Sequence, residues 1–373
     1  MNELDLGSLP RTLALVEKGA RDGLHIGFQL YASINGQPRA DWAWGESRPG
    51  VAMTHDSITL WLSSGKPAAA VAVLQLRDRG LLGLDDPVAR HIPEFGQNGK
   101  QDVTIRQLLT HTGGFRWIDI GGPELSREEV LQRIYHGKLD RNWTPGQRAG
   151  YHPQTSWHIL GELVHRLDGR LYRDYVRQAI FRPLGMRDSS IGMTREEIAA
   201  YGTRLGVLVN TETPGSPPQR WSTEAGILLG PPGGAGHGPI RELAWFYEML
   251  LGQGQREGCR VLSVESAREM TSPQRVGMDD ETFRLKLDWG LGLILDSKHY
   301  GEPILPYGYG PHASPRTYGH GGAQSSIGFA DPEFGLAAAF VFNGTCGEER
   351  HQRRAWPVLA ALYEDLGLAG LIA

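Results

Sequence analysis

The chain has 373 residues, of which 40% are hydrophobic and 21% are charged, and its formal net charge is -4. This composition excludes a mostly disordered chain, because enough apolar side chains are present to fill a sizeable core. The 38 Lys and Arg residues against 42 Asp and Glu residues leave no excess of positive charge of the kind that nucleic-acid binding requires.

The start of the chain predicts where the protein resides. Met1 to Asp5 is acidic and is not followed by the apolar run of a secretory signal. No segment approaches the roughly 20 apolar residues of a membrane span. We therefore expect a cytoplasmic protein that contacts no membrane. The two cysteines, Cys259 and Cys346, have no metal-like spacing, which excludes a disulfide framework but leaves a single bridge open.

Apolar periodicity and turn signals at the two ends of the chain predict one antiparallel sheet with helices packed on it. The terminal elements are a helix over 9–20, a hairpin of strands 25–34 and 38–44 around Asn35-Gly36, strands at 289–295, 326–330 and 336–342, and a closing helix over 353–366. The charged residues between Glu348 and Arg354 are expected to form a solvated helix start.

The middle of the chain is dominated by helical patterns, which predict an all-α insertion. These helices cover 68–77, 104–109, 126–135, 155–167, 172–180 and 240–251, whereas the Gly- and Pro-rich stretch 230–239 is expected to be a loop. We predict a sheet domain built from residues 1–75 and 285–373, and a mainly helical domain over 76–284. An active site is expected in the cleft between them.

The sharpest local signal is Ser63-Ser64-Gly65-Lys66, which follows an apolar run and opens a helix. On a helix the spacing i, i+3 puts Ser63 and Lys66 on one face, where an amine can take the proton of a hydroxyl nucleophile. This chemistry requires Lys66 to be neutral part of the time. Ser64 is the rival nucleophile, but it faces away from Lys66 on a helix, and a serine at this place can also be an ordinary N-cap.

Two further segments give this tetrapeptide a context. Tyr151 lies on a loop that enters the helix at 155, and Tyr318-Gly319-His320-Gly321-Gly322-Ala323 precedes a predicted strand. Taken alone, the first is as well explained by a packed aromatic side chain and the second by a turn.

In this order and spacing the three segments resemble the SxxK, Tyr-x-Asn and Lys/His-x-Gly motifs of the serine β-lactamase and penicillin-binding-protein-like superfamily. Segments 81–88, 92–95, 104–114, 183–186 and 233–234 are similar to landmarks of its class C β-lactamase and carboxylesterase branch. The resemblance spans roughly residues 27–343. It implies an α/β (α+β) fold of the β-lactamase/transpeptidase-like kind, with an antiparallel sheet flanked by helices and an all-α insertion.

The resemblance also implies roles for individual residues. Ser63 is expected to be the acylated nucleophile, Lys66 its proton partner, and Tyr151 the general base. The backbone N–H groups of Ser63 and Ala323 are expected to form the oxyanion hole.

Three residues of the third motif complete the site that the resemblance implies. His320 is expected to support the proton transfer of the tyrosine and to contact the substrate. Gly321 and Gly322 are expected to let the strand edge approach the acyl group, which a Cβ atom would obstruct.

The second motif departs from the family pattern, because Tyr151 is followed by His152 and Pro153 where the family has an asparagine at the third position. That asparagine normally binds the amide carbonyl of the substrate and the catalytic lysine, and proline can do neither. The departure favours esters over β-lactams or peptides, with His152 or Gln154 as candidate substitutes.

The sequence therefore predicts a serine hydrolase that acts through an acyl-enzyme, as a carboxylesterase on small or medium esters. The alternatives are an acyltransferase, a β-lactamase or D-amino-acid peptidase, and a non-catalytic binding protein of the same fold. No cofactor and no metal are expected. The aromatic residues near the motifs are expected to line an apolar pocket or to pack in the core; they are Trp61, Trp117, Trp143 and Tyr318. The expected partner is a small-molecule ester, and the oligomeric state is not predicted.

Overall fold

The computed structural model describes residues 9–213, 215–302 and 304–371. Residues 1–8, on which the expectation about a secretory signal rests, lie outside these ranges. The helices of the described residues are α1 (Pro10–Arg21), α2 (Pro67–Asp78), α3 (Ile105–Leu109), α4 (Arg127–His136), α5 (Thr155–Asp168), α6 (Tyr172–Val176), α7 (Arg195–Tyr201), α8 (Glu224–Leu229), α9 (Ile240–Leu251), α10 (Val264–Thr271) and α11 (Glu348–Asp365). None of these helices has the length and apolar character needed to cross a membrane.

The strands within the same residues form one large and three small antiparallel sheets. They are β1 (Gly27–Ile34), β2 (Gln37–Arg48), β3 (Val51–Ala52), β4 (Thr59–Leu62), β5 (Ser190–Ile191), β6 (Gly236–Gly238), β7 (Gln255–Arg256), β8 (Cys259–Arg260), β9 (Asp279–Asp280), β10 (Leu285–Lys286), β11 (Ile294–Leu295), β12 (Tyr318–Gly321), β13 (Ser326–Asp331) and β14 (Leu336–Phe342). The large sheet has the order β11-β12-β13-β14-β1-β2-β3, so strands from both ends of the chain lie side by side, as predicted.

The hairpin between β1 and β2 turns at the predicted dipeptide. Asn35 and Gly36 have φ of 50° and 71°, the left-handed conformation that a two-residue hairpin turn of type I′ requires. The two strands pair from Gly27 opposite Gly45 to Ile34 opposite Gln37. The local turn chemistry thus determines the register at this end of the sheet.

Side chains alternate between two cores along the strands of the large sheet. On β14, the side chains of Leu336, Phe340 and Phe342 pack with α1 and α11, whereas those of Ala339 and Val341 pack with α9 and the helical core. This is the period of two that a strand buried on both faces imposes. The sheet is therefore covered by helices on each face.

Helix α2 lies at the centre of the helical part. Nine of its side chains, from Pro67 to Leu76, are buried, which is the pattern of a helix surrounded by other elements. It packs against α5. Helix α9, which the prediction placed in the helical insertion, packs on β1, β13 and β14. The division into two domains at 76 and 284 stays a prediction.

Three predicted elements differ from the structure. The strand expected over 289–295 is broken, because Gly290 N donates to the Leu293 carbonyl and the chain turns back on itself before β11. The helix expected over 172–180 changes after Val176 into a π-helical turn. Part of the loop expected over 230–239 is strand β6, which lies between β4 and β5.

The charged cluster at the start of α11 is only partly solvated, contrary to the prediction. Arg354 is 6% exposed. Its guanidinium group donates to the carbonyl oxygens of Leu24, Gln324 and Gly344. Arg354 therefore connects the C-terminal helix to three segments that flank strands of the large sheet. The two cysteines are both free, one exposed and one buried, so no bridge joins them.

We expect Arg354→Met to lower the free energy of unfolding by about 2–4 kcal/mol, because buried carbonyl groups lose their donor. The measurement is urea denaturation followed by circular dichroism. The matched control is Arg353→Met, since the neighbouring Arg353 side chain is 73% exposed and pairs with Glu349. This control is expected to change stability by less than about 0.5 kcal/mol. Equal losses in the two variants would contradict the assignment.

Candidate active site

Ser63 lies at the junction of the small sheet and the central helix. Strand β4 ends at Leu62, a single 3₁₀ turn covers Ser63 to Gly65, and α2 begins at Pro67. Leu62 has a φ of 49°, which is rare for a branched side chain and marks a sharp turn in the backbone. Pro67 suits the first turn of a helix, where its missing N–H costs nothing. This turn places the Ser63 side chain at the start of α2.

The Ser63 hydroxyl has two protein partners. Lys66 Nζ donates to Ser63 Oγ at 2.9 Å, and the Tyr151 hydroxyl donates to the same oxygen at 2.9 Å. Ser64 is turned away and donates to the His320 carbonyl, so it is not available as a nucleophile. The structure thus brings together the three residues that the sequence singled out.

Lys66 is fully buried and forms no ion pair with a described carboxylate. Its Nζ also donates to the Gly233 carbonyl, and it lies 5.4 Å and 5.3 Å from the ring centres of Tyr151 and Trp157. Burial lowers the pKa of Lys66 well below its usual value of 10.5. The neutral amine that proton abstraction needs is therefore favoured by the surroundings of Lys66.

The loop that carries Tyr151 is held by a buried ion pair. Asp280 Oδ1 accepts the N–H of Tyr151 at 3.1 Å and that of Phe283 at 3.1 Å, while its Oδ2 accepts from Arg275 at 3.0 Å. Thr282 Oγ1 donates to the Tyr151 carbonyl at 3.0 Å. The N–H and the carbonyl group of Tyr151 are thus both bound by the segment 280–282. Sequence reasoning missed this segment, since a lone Asp in a loop carries no functional signal.

The protonation of Tyr151 follows from its burial. Its hydroxyl has a raised pKa, chiefly because burial disfavours the phenolate, and the hydrogen bond to Ser63 offsets this only in part. The environment thus disfavours the charged forms of Tyr151 and Lys66. In its neutral form Lys66 has a free electron pair that can accept a proton, whereas neutral Tyr151 has a proton to donate.

His320 lies on β12 beside the tyrosine, with a distance of 6.0 Å between the two ring centres. Its Nδ1 lies 2.8 Å from the Gly321 carbonyl oxygen, and its Nε2 has no hydrogen-bond partner among the described residues. Burial lowers the pKa of His320 to about 3. His320 is therefore neutral at physiological pH.

At two positions of the third motif, close neighbours leave no space for a Cβ atom, so that only glycine fits. A Cβ atom on Gly322 would lie 2.2 Å from the Trp61 carbonyl oxygen, and one on Gly321 would lie 2.2 Å from the ring of Tyr307. Any side chain at Gly322 would push β12 away from the turn before Ser63. Ala323 follows in the exposed turn between β12 and β13. Its predicted part in an oxyanion hole stays a prediction.

The structure places His152 in the core. It is fully buried, and its Nε2 accepts the N–H groups of Gly114 and Phe115 at 3.1 Å and 3.2 Å. These bonds use Nε2 within the protein, whereas Nδ1 has no hydrogen-bond partner among the described residues. The expected substrate contact of His152 stays a prediction. The amide of Gln154 instead packs against Gly233 and Gly234. A Cβ atom on Gly234 would lie 2.9 Å from Nε2 of Gln154.

Most of the aromatic residues that flank the motifs are core residues. Trp61, Trp143 and Tyr318 are buried, whereas Trp117 is 63% exposed. Phe283 and Tyr307 were missed by sequence analysis, and Phe283 packs on Tyr151 at 5.2 Å between ring centres. Neither belongs to a recognisable motif. Sequence analysis noted Gly233 only as a family landmark and missed its hydrogen bond with Lys66. Every residue type has a backbone carbonyl, so the sequence does not mark the one that is used.

The sequence and the fold of the chain match known proteins. The sequence model of the Beta-lactamase family matches residues 14–363. The esterase/β-lactamase LipL of Mycobacterium tuberculosis is 28% identical over 363 residues, covering 89% of this chain and 80% of LipL. Penicillin-binding protein 4 of Amycolatopsis lactamdurans is 31% identical over 307 residues, covering 79% of this chain and 74% of that protein.

The fold comparison gives the same result. The crystal structure of a family VIII carboxylesterase matches 98% of this chain and 99% of its own length, with a TM-score of 0.75 at 23% identity. At this identity the likeness shows the fold alone. The predicted β-lactamase/transpeptidase-like fold is confirmed.

We expect the stability of the protein to rise with pH in the range above the lowered pKa of Lys66 and below 10.5. In that range the unfolded chain binds a proton at Lys66 that the folded chain does not, which adds up to about 1.4 kcal/mol per pH unit. Lys66→Met is expected to lose this slope. The measurement is urea denaturation of wild type and variant at several pH values between about 8 and about 10.

The matched control for this experiment is Lys138→Met, which removes an exposed lysine. Its stability is expected to follow the wild-type curve. Parallel curves for wild type and Lys66→Met would show that burial does not hold Lys66 neutral.

Proposed function

The chain belongs to the β-lactamase family and is a serine hydrolase, and from this premise we propose that it is a carboxylesterase that forms an acyl-enzyme on Ser63. The observation that carries the proposal is the position of the Ser63 hydroxyl between Lys66 Nζ and the Tyr151 hydroxyl, at 2.9 Å from each. A nucleophile, a neutral base and a second proton carrier are the groups that acyl transfer through a serine requires.

In the proposed acylation step, Ser63 Oγ attacks the ester carbonyl carbon while its proton passes to the neutral Lys66 amine. The carbonyl oxygen becomes an oxyanion that the N–H groups of Ser63 and Ala323 stabilise. When the tetrahedral intermediate collapses, the bond to the alkoxy oxygen breaks. The proton that Lys66 accepted passes through Tyr151 to that oxygen, and the alcohol leaves.

Deacylation uses the same groups in the reverse order. A water molecule attacks the acyl carbon, and its proton passes through Tyr151 to Lys66. Lys66 gives a proton to Ser63 Oγ as the carboxylic acid is released. Tyr151 serves as the relay in this scheme, because its burial disfavours the phenolate that a tyrosine base would need. This assigns the first proton transfer to Lys66 and not, as the family resemblance implies, to Tyr151.

The proposed preference for esters rests on what is missing beside Tyr151. Pro153 cannot donate a hydrogen bond, and the His152 ring is bound to the backbone at Gly114 and Phe115. An amide carbonyl in a peptide or an acylated β-lactam therefore lacks the side-chain donor that the family supplies there. A simple ester has no such group to satisfy. The name of LipL, esterase/β-lactamase, agrees with ester chemistry on this fold.

We expect wild-type protein to release p-nitrophenol from p-nitrophenyl esters and to gain the mass of the acyl group, and Ser63→Ala to do neither. The readouts are intact mass spectrometry after brief mixing and absorbance of the released phenol. Ser64→Ala is the matched control, since Ser64 bonds to the His320 carbonyl and not to the reacting groups. It is expected to keep the adduct and most of the activity.

The same experiment distinguishes the alternatives. Parallel reactions contain a β-lactam, a D-amino-acid amide, or an ester with an added alcohol. A faster reaction with either of the first two would replace the ester assignment, and a transesterified product would indicate acyl transfer. Full activity in Ser63→Ala would overturn the mechanism.

Tyr151→Phe is expected to lower kcat by about 10²–10⁴-fold, because the hydroxyl that relays the proton is lost while the ring packing is kept. Steady-state hydrolysis of a p-nitrophenyl ester measures the effect. Tyr309→Phe is the control, as Tyr309 is a buried tyrosine whose hydroxyl donates to the Ile294 carbonyl. A similar loss in both variants would show a general effect of the missing hydroxyl on the fold.

A further inference from the structure

Two aromatic side chains near the reacting groups take no part in the proposed proton transfers. Phe283 packs on the Tyr151 ring at 5.2 Å between ring centres, and Tyr307 lies 6.1 Å from Phe283 at an interplanar angle of 64°. Phe283 and Tyr307, which we call the aromatic wall, are both half-buried, as is Ser63. The wall and the nucleophile are therefore both within reach of a molecule that arrives from solvent.

Phe283 is held by the same carboxylate as Tyr151. Asp280 Oδ1 accepts the N–H of Phe283 and the N–H of Tyr151, each at 3.1 Å. Trp289, which stacks on the Tyr151 ring at 5.9 Å between ring centres, is fully buried, whereas Phe283 is not. Phe283 thus offers a fixed and partly accessible aromatic surface next to the Tyr151 ring.

Tyr307 is held against the strand of the third motif. A Cβ atom on Gly321 would lie 2.2 Å from the Tyr307 ring, so this ring fills the space that a side chain at 321 would take. Its hydroxyl donates to the Glu348 carboxylate at the start of α11. The backbone of Tyr307 has a φ of 57°, which is uncommon for an aromatic residue and is often retained at functional sites.

The proposed proton path determines which part of the ester lies near these rings. Tyr151 delivers the proton to the alkoxy oxygen, so that oxygen must come within hydrogen-bond distance of the Tyr151 hydroxyl. The acyl group, in contrast, stays bonded to Ser63. The alcohol group attached to the alkoxy oxygen therefore extends on the Tyr151 side of Ser63, where the aromatic wall offers apolar surface.

We propose that Phe283 and Tyr307 bind the alcohol group of the substrate and that this group has an aromatic ring, an inference that rests on the proposed function. Aromatic rings prefer edge-to-face or offset contacts, which are more favourable than the burial of the same area alone. The two rings of the wall already meet near edge to face. A third ring can pack on them in the same way, so the preferred substrates are esters of arylalkyl alcohols, such as benzyl esters.

The test compares benzyl acetate with cyclohexylmethyl acetate, which have the same acyl group and differ in whether the ring of the alcohol is aromatic. The measurement is kcat/KM from titration of the acetic acid released. Wild-type protein is expected to favour benzyl acetate by about three- to tenfold, the usual effect of an aromatic contact. Equal values for the two esters, or a preference for the saturated ring, would overturn the proposal.

Two substitutions locate the aromatic contact. Phe283→Leu and Tyr307→Leu are each expected to lower the ratio of the two kcat/KM values toward about one, because leucine is apolar but has no ring. A general effect on the position of Tyr151 slows both esters alike and leaves this ratio unchanged. An unchanged ratio in both variants would place the aromatic group elsewhere and overturn the proposal.

Two control variants accompany these substitutions. Tyr307→Phe loses the hydrogen bond to Glu348 but keeps the ring, and it is expected to keep the ratio. Phe334→Leu removes another half-buried aromatic ring, which packs on Tyr363 at 5.8 Å between ring centres in the turn at the far end of β13. It is expected to leave both kcat/KM values unchanged.

A second pair of esters tests the assignment to the alcohol group. Methyl phenylacetate and methyl cyclohexylacetate have the same two rings on the acyl side. Their kcat/KM ratio is expected to be the same in wild type and in Phe283→Leu. A loss of this ratio as large as the loss seen with the acetates would overturn the assignment to the alcohol group.

Binding to Ser63→Ala protein separates this proposal from the esterase proposal. Isothermal titration calorimetry is expected to show tighter binding of benzyl acetate than of cyclohexylmethyl acetate, and Phe283→Leu in the same background is expected to remove the difference. If this preference is present while wild-type protein hydrolyses neither ester, the esterase proposal fails and the aromatic wall is supported. Hydrolysis of both esters without a ring preference has the opposite meaning, and neither hydrolysis nor preferential binding would overturn both.

Discussion

The active site depends on the burial of one amine without a counter-charge. Lys66 has lost its hydration and has no carboxylate among its described neighbours, and its partners are the Ser63 hydroxyl, the Gly233 carbonyl and two aromatic faces. Such an environment penalises the charged amine far more than the neutral one. Burial thereby lowers the pKa of Lys66, as its proposed role as a base requires, and it lowers the stability of the fold, as is common at functional sites.

The surrounding structure excludes water from that amine and orients it toward Ser63. Helix α2, which begins next to Lys66, is buried along nearly its whole length. The aromatic rings of Tyr151 and Trp157 cover the amine, and the loop that carries Tyr151 is bound by Asp280 and, through it, by Arg275. The two ionised groups of this pair are themselves buried and compensate each other, so the loop is held without adding a free charge near Lys66.

The segment 230–234 helps to position Lys66. Its Gly233 carbonyl binds the Lys66 amine and directly follows Pro231 and Pro232 in the chain. Prolines limit the conformations of a segment, so the carbonyl is presented in a restricted direction. The amide of Gln154 packs against the same segment at Gly233 and Gly234. Contacts from several parts of the chain therefore converge on one hydrogen bond to the Lys66 amine.

The sequence by itself determined the local features. The hairpin at Asn35-Gly36, the alternation along β14 and the spacing of Ser63 and Lys66 follow from turn chemistry and from the periods of strands and helices, which act between residues close in the chain. The order of the three motifs, together with the landmark segments distributed along the chain, identified the family and the fold. Tertiary structure decided the rest: the partner of His152, the burial of Arg354, the turn that breaks the strand at 289–295, and the role of Gly233. These depend on backbone groups brought together from distant segments, and a backbone carbonyl or N–H is the same in every residue type, so no sequence pattern marks the one that is used.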